Sequence, residues 1–594
     1  MLDVRVYRAG FLPALLALVV AAFSLGDPPR GLTTTLPPDA FNGERAFSTL
    51  AELAGAFPRR AAGSPGDAAV ADRVRGVLRE SGFRVSTRRF HGATPEGDRD
   101  LEDVIGVHAG QATGQIVVVA HRDALGTRAA AQLSGTAALM ELAHVFAGRS
   151  SRKTIVLVST SGGSGGSAGA AEYARHAQTA AGGAAGPIDA AIALGDLAGS
   201  TVRRPLVVPW SNGVQVAPTE LRRTVGDAVA LETDQRPGEV GSAAQLARLA
   251  FPLTFGEQGE LGREGLPAVL LSVSGERGPD AATPVNAERL GQFGRGVLRS
   301  VSALDGREDP APAARAELVV SGKLLPEWAV SLLVGALIVP ALVAAVDAFA
   351  RVRRQRRALG PWLLWIGAAA LGPALAVLLA FLLEFAGALP DAPRAPVSPD
   401  ALPPGAGGVA ALTAIVAAAA AVWVFARRAA RRLAGAEDPA APGAAVALGL
   451  VTSLVVVAVW AFNPFAAALL LPALHFWLLI ALPEVRMRRG AAVVVLAVTL
   501  LPVAMVTIYY AVRLGLGPLE LPWTVLLLVV GGHVSPLGAL AWCLLIACLG
   551  SVVAIVRAQG AIPVPAPPPP PTTRGPLSYA GPGSLGGTES ALPN

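Results

Sequence analysis

The chain contains seven histidines, at positions 91, 108, 121, 144, 176, 475 and 533, so the places where acid–base or metal chemistry could occur are few. His121 closes the apolar run Gln115-Ile-Val-Val-Val-Ala, and Asp123 follows two positions later. An imidazole and a carboxylate at a strand end can form a metal ligand with its orienting partner, or can simply hydrogen-bond to one another. Taken alone, the pair reads as structural. Gly162-Gly-Ser164-Gly-Gly166 has the Gly-x-Ser-x-Gly spacing of a nucleophile elbow, which exposes a serine hydroxyl on a tight strand-to-helix turn. That chemistry needs a histidine to take the proton. Only His176 follows in the first half of the chain, on the very next helix, so the run reads as a glycine-rich turn. The only cysteines, Cys543 and Cys548, lie in one apolar run near the C-terminus. The rest of the chain therefore has no disulfide and no thiolate metal site.

The elements that must position His121 and Asp123 are read from hydrophobic patterning. Glu44–Phe57, Asp67–Gly82, Leu133–Gly148 and Ala168–Thr179 have helical periodicity. Gln115–Ala120, Thr154–Ser159, Ala190–Leu194 and Ala268–Val273 are short apolar runs, as expected of strands buried on both faces. Their alternation predicts an α/β fold with a mostly parallel mixed sheet flanked by helices over residues 37–304.

Composition places much of the remainder in a membrane. The 594 residues are 52% hydrophobic and only 15% charged, against about 25% charged in soluble domains. Residues 1–36 read as a short cytoplasmic stub and a signal-anchor helix, with retention favoured over cleavage. Residues 305–323 read as a linker. Residues 324–557 read as a bundle of about seven membrane helices: Trp328–Ala350, Leu363–Leu389, Val409–Ala426, Ala445–Phe462, Phe465–Leu482, Ala491–Val512 and Val534–Val556. Trp523–Gly532 is apolar but short, and is expected to be re-entrant, interfacial or the start of the last helix. Arginine clusters at 351–357, 427–432 and 486–489 alternate with uncharged or proline-rich loops. The positive-inside rule then places residues 37–304 outside the cytoplasm of a multi-pass plasma-membrane protein, and the proline-rich tail 558–594 inside. The net charge of +6 belongs to these clusters and is not a nucleic-acid footprint. Basic residues that are almost all arginine, with abundant Ala, Gly and Pro, suggest a GC-rich bacterial genome. No pair of broken helices with facing charges suggests transport; His475 lies within a span and His533 borders the last one.

An ordered series of segments resembles the di-zinc aminopeptidases, family twenty-eight of the metallopeptidases, in their membrane-tethered form. It comprises Arg59-Arg-Ala-Ala-Gly-Ser-Pro-Gly66, Val117-Val-Val-Ala-His-Arg-Asp123, Ser134-Gly-Thr-Ala-Ala-Leu-Met-Glu-Leu-Ala143, Asp196-Leu-Ala-Gly199 and Gly265-Leu-Pro-Ala-Val269. The resemblance implies a site with two zinc ions bridged by a carboxylate, with a glutamate as general base. His121 and Asp196 then stand at ligand positions of the first metal, and Asp123 stands where a carboxylate orients the histidine. The bridging aspartate falls on Ala131. The Glu-Glu pair falls on Gly163, at the general base, and Ser164. The last histidine falls near Gly278 or Pro279. No histidine lies between His176 and His475, and no carboxylate lies in 124–140 or 159–170.

The expectation is therefore a peptidase-like scaffold with no catalytic residue and no cofactor, with His121 and Asp196 as remnant ligands. Such a domain would bind a peptide or a partner protein in the old substrate cleft. The alternative is an active zinc aminopeptidase with ligands from unmatched positions.

Overall fold

The computed structural model describes residues 4–180, 186–200, 204–238, 240–309, 311–433, 441–481 and 489–559. The basic residues at 486–488 and nearly all of the tail fall outside these.

The first unit is built on a seven-stranded sheet: β1 (Arg84–Thr94), β2 (Gly97–His108), β3 (Gln115–His121), β4 (Thr154–Thr160), β5 (Ile188–Leu194), β6 (Leu206–Val208) and β7 (Ala268–Ser272). The spatial order is β1-β2-β4-β3-β5-β7-β6. The four strands expected from the sequence form its parallel centre, β4-β3-β5-β7. Period-two alternation divides β3 between two cores. Ile116, Val118 and Ala120 pack with Leu50, Val70 and Leu139 on one face. Val117 and Val119 pack with Tyr173 and Leu261 on the other.

The flanking strands pair antiparallel and were not expected. The β1–β2 hairpin joins the sheet through β2 and β4, and β6 caps the far edge. β1 carries Arg84, Arg88 and Arg89, the charge that edge strands use to resist further pairing and that hides them from a search for apolar runs. Helices Thr219–Thr233, Ser242–Ala250, Gln258–Arg263 and Ala287–Asp305 were also not expected.

Local rules fix the helix starts. Ser64 accepts from the Asp67 amide, with Pro65 in the first turn, and Asn42 caps Gly43–Ala56 in the same way.

Among the described residues seven helices are long and apolar enough to cross a membrane: Arg5–Phe23, Glu327–Arg354, Gly360–Phe385, Ala406–Arg432, Pro442–Phe462, Gly490–Arg513 and Pro536–Gln559. Pro464–Ile480 and Glu520–Val530 are shorter apolar helices. The second of these replaces the expected Trp523–Gly532 piece and is too short to span.

The N-terminal helix lies against Glu327–Arg354, so closely that a Cβ on Gly10 would fall 2.6 Å from Pro340 Cα. His475 Nε2 lies 3.0 Å from the Leu337 carbonyl and must donate to it, which leaves Nδ1 to accept from Tyr7 at 2.8 Å. This half-buried histidine therefore serves helix packing.

The chain enters and leaves the α/β unit side by side. Gly26 and Leu324 exchange backbone hydrogen bonds at 3.0 and 2.9 Å, and Asp27 pairs with Lys323.

Candidate functional site

His121 ends β3, and Asp196 follows β5 by two residues. Both stand at the carboxyl edge of neighbouring parallel strands, where open α/β sheets form their clefts. A cavity of about 300 Å³ opens there. It is lined by His121, Asp196, Gly163–Gly166 and Gly278–Asp280, with Glu257 at its side. The resemblance thus assembles one locus from β3, β5 and three loops.

The groups in that locus are committed to one another. Asp123 does not orient His121, as was expected. Its carboxylate accepts from the Gly163 and Ser164 amides at 2.9 and 3.0 Å and from the Ser164 hydroxyl. The group facing His121 Nδ1 is Glu257, at 3.5 Å, and the Thr160 hydroxyl donates to the same carboxylate at 2.5 Å. Burial alone would lower the His121 pKa. The hydrogen bond and charge of Glu257, with the charge of Asp123, outweigh it and raise the pKa.

Asp196 Oδ1 accepts from the Ala198 and Gly199 amides at 3.0 and 2.8 Å and from Ser134 at 3.3 Å, while Ser274 donates to Oδ2. Burial nevertheless holds its pKa above the usual range.

The positions expected to have lost ligands are held in different ways: Gly163 by a close contact, Ala131 by burial and Gly278 by its backbone conformation. A Cβ on Gly163 would lie 2.2 Å from His121 Cβ, so no side chain, including a general-base glutamate, can begin there. Ala131 is fully buried, and its carbonyl accepts from Ser134. Gly278 has φ +84°, the left-handed region that favours glycine. Among the described residues no group of three or more His, Cys, Asp or Glu side chains is placed to hold a metal ion. A di-zinc centre needs about three protein ligands per ion, and this donor set does not fit one. His176 Nδ1 lies 3.0 Å from the Glu172 carbonyl on its own helix, so Ser164 is committed to Asp123 while the downstream histidine is engaged elsewhere.

Sequence reading missed Glu257, which lies far along the chain from His121 in a loop without a motif. It also missed the charged groups beneath the glycine-rich turn. Arg122 is buried against Asp67 at 2.9 Å, and its guanidinium donates to the Ser159 and Glu102 carbonyls. Asp103 is buried, accepting from the Ser161 amide at 3.4 Å, and its pKa is raised to about 8 by burial. A folded pKa above the unfolded value means that stability is full below about pH 4 and is lost as pH rises toward 8. Asp103→Asn is therefore expected to flatten the decline in melting temperature between pH 5 and 8. An unchanged slope would place the titration elsewhere.

The far side of the cavity belongs to the membrane unit, through Pro396, Ser398 and Asp400. The loop after β7 holds the two units together. Glu276 is buried between Arg248 and Arg513, and Arg248 also donates to Tyr509 at 2.9 Å. Next to it, Arg277 reaches Asp400 at 2.6 Å, Glu520 at 3.2 Å and the Gly515 carbonyl at 2.7 Å. The loop where the last zinc ligand was sought is an inter-unit joint.

Residues 103–237 match the profile of Peptidase family M28. The α/β unit resembles that family. No curated protein matches the chain. Among solved structures, Fimbriiglobus ruber glutaminyl cyclase aligns at 17% identity and TM-score 0.35, over 46% of this chain and 99% of its own. An aminopeptidase from Aneurinibacillus sp. strain AM-1 aligns at 11% and 0.36, over 46% and 97%. A zinc aminopeptidase from Bacillus subtilis aligns at 13% and 0.32, over 46% and 99%.

Proposed function

We propose that the chain is a membrane-embedded, non-catalytic relative of the M28 peptidases, whose α/β unit holds a peptide or a partner protein outside the cytoplasm. One observation carries this reading. The residues that would serve the metals are either saturated by internal hydrogen bonds, as Asp123 and Asp196 are, or replaced by residues packed too tightly to restore, as Gly163 is. A carboxylate that already accepts three or four hydrogen bonds has little to gain from a weakly held ion.

Orientation in this proposal follows the arginine clusters at 351–357 and 427–432, which put the α/β unit outside and the tail inside a bacterial plasma membrane. The ligand cleft is the one at the carboxyl edge of the sheet, between the two units.

The test uses full-length protein purified in detergent. Substoichiometric zinc, a melting temperature unmoved by chelator and no cleavage of an aminoacyl-arylamide are expected. Near-stoichiometric zinc, with chelator-sensitive hydrolysis lost in His121→Ala, would establish an active zinc aminopeptidase instead. Glu257, beside His121 in the same cavity, would then be the first candidate for the missing acid.

A further inference from the structure

The loop joining Gly360–Phe385 to Ala406–Leu433 does not behave as a surface connection. Loops normally run through solvent, yet every residue from Ala392 to Pro399 except Arg394 is buried. Prolines recur at 390, 393, 396 and 399, the three-residue repeat of a polyproline II helix. Such a segment is stiff before it binds, so docking it costs little conformational entropy.

It docks on the glycine-rich turn. A Cβ on Gly165 would lie 3.3 Å from Ala401 Cβ, and one on Gly166 would lie 2.8 Å from Pro393 Cβ. Gly166 is thus accounted for by the close approach of this segment, while Gly165 is closed first by Pro95, whose Cγ would lie 2.4 Å from an added Cβ. Both ends are pinned. The Trp523 indole donates to the Leu402 carbonyl at 2.7 Å, and the backbone at Ala392 and Pro393 rests against Gly531. Close to the Leu402 end Asp400 pairs with Arg277. The segment roofs the cavity that contains His121, Asp196 and Glu257 without filling it.

We propose that residues 389–402 are a built-in ligand of the cleft, a proline-repeat strap latched by Arg277 and Asp400. The external ligand is then an extended proline-rich peptide segment that carries a carboxylate in the place of Asp400. This proposal rests on the non-catalytic binding role given above and adds the ligand class and its regulation. The geometry supplies the exchange. Arg277 also contacts Glu520, so it keeps a partner when Asp400 leaves, and the Asp400–Arg277 pair is partly solvent-exposed, where ion pairs are readily replaced.

The probe is a fluorescent synthetic peptide with the sequence of residues 389–402, titrated into full-length protein in nanodiscs. Two variants open the cleft: Asp400→Ala, which releases the latch, and a strap in which residues 392–399 are replaced by an equal length of Gly and Ser. Wild type should bind the peptide weakly, and at least one variant should bind it about tenfold or more tightly, a difference in the range of a charge-assisted bidentate pair. Changing the peptide aspartate that corresponds to Asp400 to alanine, or adding Arg277→Ala to the opened protein, should remove that gain.

If the replaced strap fails to fold, Asp400→Ala decides alone. Binding no tighter than wild type in every variant that folds would overturn the strap proposal. Zinc content and arylamide cleavage are measured separately on the same preparations. Metal with hydrolysis would sink the non-catalytic reading while leaving the peptide-exchange result to stand or fall on its own.

Discussion

Gly163→Ala is expected to lower the melting temperature by several degrees, and Gly163→Glu, which restores the general-base residue of the metallopeptidases, to disrupt the α/β unit rather than revive it. The alanine methyl would overlap His121 Cβ at 2.2 Å, and overpacking of this kind costs about 1–3 kcal/mol. A glutamate adds four more heavy atoms beyond that clash and must also displace the turn whose amides hold Asp123. Gly238→Ala, in open space, is the control. A Gly163→Glu protein that melts with wild type would show that the turn can move, and with it the tight packing on which the non-catalytic reading depends.

The second large effect is expected at the joint. Glu276 has no solvent-exposed side-chain surface and accepts from Arg248, which is equally buried, and from Arg513. Arg248 also lies over the Tyr509 and Tyr510 rings, with its guanidinium carbon 5.5 and 5.1 Å from their centroids. Burial alone would lower the Arg248 pKa, but the charge of Glu276 and the two tyrosines more than offset it and raise the pKa, so the guanidinium stays charged. Removing one member of a buried pair leaves the other without compensation, at a cost of about 3–5 kcal/mol. Glu276→Ala should therefore loosen the α/β unit from the bundle, read as a lower melting temperature and faster proteolysis between residues 305 and 317. Glu276→Gln, which keeps an acceptor, should lose less. Arg73→Ala, at an exposed pair with Glu52, should change little. Equal effects from Glu276→Ala and Arg73→Ala would mean that the joint is not held by this cluster.

The central strands were legible because burial on both faces writes a continuous apolar run, as in Val117-Val-Val. The hairpin β1–β2 was not, because its edge strand mixes arginine and polar residues with few apolar ones and is stabilised by its neighbour rather than by its own burial. Membrane helices were legible for the opposite reason, since length and hydropathy alone define them. Pro464–Ile480, at 17 residues, shows where that rule blurs.

At the site, the replaced positions could be read by following motifs: Ala131, Gly163 and Ser164 stand where acids were sought. What replaced their chemistry could not. Glu257 meets His121 across about half the length of the α/β unit, and the partners of Arg277, Asp400 in a loop and Glu520 at the start of a short helix, lie more than a hundred residues downstream. Nothing in the glycine run announces that Gly166 packs against a proline strap, because that contact exists only after two separately encoded units have met.

The adjacency of Gly26 and Leu324 has a mechanical consequence. A body joined to its base by one stalk can swivel. One gripped at neighbouring points on its way in and its way out, and again by the Glu276 cluster, holds a single heading. The α/β unit is thus closer to a bolted hatch than to a hanging arm. Any visitor to the cleft must come in along the seam between the two units.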